Sequence, residues 1–90
     1  MRAEKPLVAW YGDDMTGSID VLEALAAAGV RGALVVGEPD AADAERFPWA
    51  RAIGWAGATR GLPTEELRPV VGRAVEAMRD SGAPLLHYKV

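Results

Sequence analysis

Cysteine is absent from this 90-residue sequence, which excludes disulfide staples and thiolate metal centres. His87 is the single histidine, so a zinc site would need carboxylates almost exclusively, and structural zinc is set aside. No stretch approaches the roughly 18–20 consecutive apolar residues of a membrane span, and the opening Met1-Arg2-Ala3-Glu4-Lys5-Pro6 lacks the apolar segment of a secretory leader. A cytoplasmic protein with no membrane partner is expected. Positive charge is also scarce: ten Lys and Arg stand against thirteen Asp and Glu, a formal charge of −3. The positive residues are scattered, with Arg31, Arg46, Arg51, Arg60, Arg68, Arg73 and Arg79 spread along the chain rather than gathered in a stripe, so nucleic acid is not an expected partner. A chain of this length forms one domain and buries only roughly 60–65% of the surface its unfolded form exposes, so its core is thin.

What is present is an alternation of short apolar runs and helical periodicities. Residues 7–11, Leu-Val-Ala-Trp-Tyr, are too few for a typical helix and close on Gly12, which suits a strand buried on both faces. Ile19, Leu22, Leu25 and Ala26 then recur at helical spacing, predicting a helix of about ten residues, with Thr16 or Ser18 as N-cap and Gly29 to end it. Residues 33–36 read as a second strand, and 40–45 as one or two solvated helical turns. Residues 50–56 read as a third strand, although Arg51 and Gly54 interrupt it. From Pro63 onward, Leu67, Val70, Val71, Ala74, Val75 and Met78 trace one helical face; Pro69 inside that series predicts a kink in a single helix. Residues 85–90 read as a fourth strand. The order β-α-β-β-α-β predicts an α/β fold, an incomplete doubly wound, mostly parallel sheet with helices on its faces. A sheet left unfinished at its last strand also offers an edge through which a homo-oligomer can form.

Ligands of open α/β sheets bind beyond the carboxyl ends of the strands, where strand order reverses. The loop Gly12-Asp13-Asp14-Met15-Thr16-Gly17 belongs at that edge. Its two carboxylates, hydroxyl and glycine offer acceptors for a polyol, a general base and backbone N–H groups for an anion. One aspartate suffices to cap the following helix, so the second is what capping alone leaves unexplained. Arg60, after the third strand, suits bidentate capture of a carboxylate or serves as a solvated loop arginine. Lys89, ending the fourth strand, neutralises an anion there or forms a charged rim. His87 fits a hydrogen-bonded structural role, and Trp10, Trp49 and Trp55 fit core or interface packing. The loop lacks the Gly-Lys-Ser/Thr ending of a P-loop, so a nucleotide has no recognisable cradle in it.

Three segments in order, Gly12-Asp13-Asp14-Met15-Thr16-Gly17 with Asp20, Ala58-Thr59-Arg60-Gly61-Leu62-Pro63, and His87-Tyr88-Lys89-Val90, resemble the amino-terminal domain of the four-carbon acid sugar kinase family, in particular its 3-oxo-tetronate kinase-like members. The resemblance implies a two-domain kinase that phosphorylates a sugar acid, a tetronate or 3-oxo-tetronate, with ATP and Mg²⁺. The amino-terminal domain would hold the sugar acid and a later domain the nucleotide. By position, Asp13, Asp14, Thr16 and Gly17 fall in the substrate loop, with Arg60 and Lys89 on the second and third loops and Asp13 or Asp14 as the catalytic carboxylate. The family pattern continues past Tyr-Lys, so the ninety residues are expected to be an inactive fragment that binds neither ATP nor Mg²⁺ tightly. Two signalling and phosphatase alternatives fit less well. A receiver-like domain needs an acceptor Asp after the third strand, where Gly57, Thr59 and Arg60 stand instead. A haloacid-dehalogenase-type phosphatase needs two aspartates separated by one residue, whereas Asp13 and Asp14 adjoin. A non-catalytic binding or interaction module is the remaining alternative.

Overall fold

Four five-residue strands alternate with three helices: β1 (Val8–Gly12), α1 (Met15–Ala27), β2 (Gly32–Val36), α2 (Asp43–Arg46), β3 (Ala52–Ala56), α3 (Thr64–Asp80) and β4 (Leu85–Lys89). They are seen in a computed structural model that describes residues 5–59 and 61–89. The strands form one sheet in the order β2-β3-β1-β4, and each neighbouring pair runs parallel. The α/β expectation therefore holds, with a sheet that is parallel throughout.

Side chains alternate between the two faces of a strand, and the two faces are filled differently. On one, Ala9, Tyr11, Ala33, Ile53 and Trp55 pack with Ala44 of α2 and with Ala74, Ala77 and Met78 of α3. On the other, the Trp10 ring lies flat over Gly54, where an added Cβ would fall 2.1 Å from Trp10 Cε2. Trp10 Nε1–H donates to the Ser18 carbonyl of α1 at 3.2 Å. Gly54, which as a bare sequence feature weakens a strand, is here the space that a buried indole requires.

Several local expectations are corrected. The cap of α1 is Asp14, not Thr16 or Ser18: its backbone is extended and its Oδ1 accepts from the Gly17 N–H at 2.7 Å. Ser18 is instead fully buried and donates Oγ–H to the Asp14 carbonyl at 2.7 Å. Starting one residue after Asp14, the helix runs to 13 residues rather than ten; Gly29 follows it with φ +83°, as a left-handed terminus requires. The 40–45 segment is not merely solvated, because Ala44 is buried and Asp43 Oδ2 accepts from Trp55 Nε1–H at 3.0 Å. Pro69 is accommodated within one continuous α3. Trp10 and Trp55 are buried, whereas Trp49 is 47% exposed, and His87 is exposed rather than structural. Among the described residues, no helix is long and apolar enough to cross a membrane.

Candidate functional site

β1 and β3 are adjacent in the sheet, yet the chain leaves β1 for the helix on one face and β3 for the helix on the other. Their exit loops diverge and open a crevice beyond the carboxyl ends of the strands, the position at which α/β folds bind ligands. A cleft of about 610 Å³ occupies that position, its walls formed by the ends of β1, β2 and β3, the loops after them, and α3. Tyr11, Asp13, Asp14, Glu38, Thr59 and Arg73 are its polar and charged lining. A second hollow of about 420 Å³ shares Asp13 and Thr59 and is bounded by Leu67, Val71 and Tyr88, so these two residues stand between the two spaces.

Backbone hydrogen bonds tie the exit loops together. The Asp13 N–H donates to the Lys89 carbonyl at 3.0 Å, the Thr59 N–H to the Asp13 carbonyl at 3.1 Å, and the Gly57 N–H to the Gly12 carbonyl at 2.9 Å. Gly12 is required because an added Cβ would meet Ser18 Oγ at 1.9 Å, so its absence lets the first turn of α1 press onto β1. Asp13 is held as a loop junction through its own backbone, and its half-buried side chain lines the cleft.

Of the residues singled out from the sequence, Asp13 and Asp14 share the cleft wall. Asp14 combines that position with the helix cap. Thr16 is exposed on the first turn of α1 and lies outside the cleft lining. Gly17 is close beneath the Lys89 stem: a Cβ there would stand 3.3 Å from Lys89 Cγ. Lys89 thus reaches the start of α1 rather than the cleft, and it lines a shallow hollow with Asp20, Val21, Ala24, Leu25 and His87. Arg60 lies outside the described residues.

Three further residues were missed. Tyr11 reads as part of an apolar run, but its hydroxyl extends over Gly57, where a Cβ would be 1.7 Å from it. Burial raises the Tyr11 pKa above its ordinary value; the nearby Thr59 side chain works against that, Tyr88 and Asp13 add to it, and Arg73 opposes it. Thr59 is 4% exposed, and within hydrogen-bond geometry its Oγ1 has no partner among the described residues. The Thr59 hydroxyl therefore lies near Tyr11 without a formed hydrogen bond. Arg73 projects from α3 and pairs through Nε with Glu38 Oε1 at 2.8 Å, both side chains at least half exposed. Such an exposed pair contributes about 0–1 kcal/mol. The available sequence signals were glycines following Tyr11 and β3, and a charge at helical spacing between Val70 and Ala77. No group of three or more His, Asp or Glu side chains among the described residues is arranged to hold a metal ion.

Residues 8–90 match the family described as sugar-binding N-terminal domain. The chain is also 40% identical over 84 residues to 3-oxo-isoapionate kinase of Paraburkholderia graminis. That similarity covers 93% of the chain but 18% of the relative, so the chain spans less than a fifth of the length of the curated relative it matches. No solved structure matches the chain.

Proposed function

The chain belongs to the sugar-binding N-terminal domain family, and we propose that its cleft binds the sugar-acid substrate of an ATP-dependent kinase, a tetronate, a 3-oxo-tetronate or a related oxo acid. The observation that carries this reading is the grouping of Asp13, Asp14, Thr59 and Tyr11 on one cleft where the β1 and β3 exits diverge. Hydroxyl acceptors beside apolar walls suit a small polyol, with few polar groups setting its orientation. The kinase assignment is supported by the relative's name and by the family match.

In this reading Asp13, whose half-buried side chain lines the cleft, accepts the proton of the substrate hydroxyl that becomes the nucleophile. Asp14 and the first turn of α1 hold the loop in place, and Thr59 and Tyr11 contact the remaining hydroxyls. Arg60 is a further cation that the resemblance brings to the acid, whereas Lys89, over Gly17 at the start of α1, is not assigned to it. ATP with Mg²⁺ would supply the phosphoryl group. Among the described residues no cluster of carboxylates or imidazoles is arranged for a metal, and the 12–17 loop contains no lysine of the P-loop kind. The nucleotide is accordingly proposed to sit on a part of the enzyme beyond these residues, with transfer depending on positioning and charge stabilisation.

The test is turnover and calorimetric binding at the protein's natural full length, with erythronate, threonate and 3-oxo-isoapionate as probes. Asp13→Asn should lower kcat by about 10²–10⁴-fold, the contribution of a positioned general base, while ATP affinity stays near wild type. Binding of none of these acids, or undiminished turnover in Asp13→Asn, sinks the reading.

A further inference from the structure

Resting on the sugar-acid reading above, we infer that Arg73 recognises the ligand's carboxylate, and that Glu38 holds its guanidinium in the ligand-free cleft and yields it on binding. The cleft wall carries the carboxylates of Asp13, Asp14 and Glu38, and Arg73 is its one cationic side chain among the described residues. An anion entering such a space meets repulsion unless a cation faces it. Lys89, the cation expected there from the sequence, is directed over Gly17 toward α1 instead.

The form of the Glu38 contact fits a displaceable partner. Its contact with Arg73 runs from Nε to Oε1 at 2.8 Å, and a ligand carboxylate can compete for the same guanidinium through the two-point grip that such groups make. Both partners are at least half exposed, so Glu38 is released to water at little cost when a ligand carboxylate takes its place. α3 fixes where Arg73 stands: it lies three residues after Val70, which lines the cleft, and four before Ala77, which is buried. The helical face that packs on the sheet thereby delivers one charge to the cleft rim.

A second observation points independently to a ligand in the same space. Thr59 Oγ1 is buried without a well-formed hydrogen bond in a residue that lines the cleft, and a buried hydroxyl without a partner is costly unless something completes it. Tyr11, Asp13, Thr59 and Arg73 all line the same cleft. A ligand with its carboxylate on Arg73 and a hydroxyl on Thr59 and Asp13 satisfies all of them. This makes the pair Arg73 and Glu38 a determinant that separates a sugar acid from the neutral polyol of the same length.

Calorimetry at natural full length with erythronate, threonate and 3-oxo-isoapionate, with erythritol measured by competition, tests this. Arg73→Ala should weaken binding of the acid at least tenfold without changing erythritol, and Arg73→Lys should recover part of the loss. Glu38→Gln should tighten acid binding about threefold to tenfold by removing the competing carboxylate. That increase is a result which a purely structural Glu38–Arg73 link would not produce. If wild type binds no acid, the sugar-acid reading itself fails. If wild type binds an acid and Arg73→Ala binds it equally well, or Glu38→Gln weakens it, this inference alone is overturned.

Discussion

β3 and β4 flank β1 in the same register: Ala52 and Leu85 face Val8, Ile53 and Leu86 face Ala9, Gly54 and His87 face Trp10, Trp55 and Tyr88 face Tyr11, and Ala56 and Lys89 face Gly12. All five β3 residues are buried, whereas Leu85, Leu86 and His87 of β4 are exposed. The more hydrophobic leucines therefore lie outside and the smaller alanines inside. Pairing to β1 is identical, so pairing is not what buries a strand here. β3 has β2 on its other side and side chains of α1, α2 or α3 packed against both faces; β4 has no second neighbour among the described strands. Burial is set by layers and strand order rather than by the hydrophobicity of the strand itself.

Matched substitutions at equivalent register positions break or sharpen this contrast. Ile53→Ala should cost about 2–5 kcal/mol through lost burial and a residual cavity, against about 0.5 kcal/mol or less for Leu85→Ala on the exposed strand; urea unfolding of both variants measures the difference. Equal losses would show that β4 is covered as thoroughly as β3. Opposite Trp10, Gly54→Ala should cost about 1–3 kcal/mol by overpacking the indole, while His87→Ala stays within about 0.5 kcal/mol. A well-tolerated Gly54→Ala would mean that Trp10 does not lie on that glycine.

Smaller effects are expected at the start of α1 and at the centre of the comparison. Asp14→Ala removes the acceptor for the Gly17 N–H and should cost about 1 kcal/mol in thermal unfolding, with Asp14→Asn recovering most of it. Tyr11, packed against Tyr88 at a 5.3 Å ring separation, has its pKa raised chiefly by burial. The folded state therefore keeps this proton at a pH where the unfolded chain loses it. The associated stability is fully present below the unfolded value near 10 and is lost as pH rises through the higher folded value. Tyr11→Phe should flatten that part of the alkaline decline in a pH series of unfolding curves. An unchanged slope would show that the hydroxyl is as well solvated folded as unfolded.

The placement of the candidate site was largely legible in the sequence. The apolar run closing on Gly12 located the end of a parallel strand, and the Asp-Asp loop was expected at the carboxyl edge of the sheet, where it lies. Tyr11 was not legible because a tyrosine in an apolar run reads as packing. Its chemistry appears only when Gly57, 46 residues later, leaves room for the hydroxyl. Arg73 was hidden for a similar reason. Its neighbour in the cleft, Glu38, lies on another loop, and helical spacing alone reads a charge there as surface.

The sequence alone determined the number and kind of elements, because apolar period, glycine stops and helix punctuation act over a few residues. It also determined that the two aspartates begin α1. Only the tertiary structure decided which aspartate caps the helix, which of two equally registered strands is buried, and which cation meets the cleft. Those outcomes depend on strand order and on how α1 and α3 settle on opposite faces of the sheet, which are contacts between residues distant in the chain, and local propensity carries no information about them.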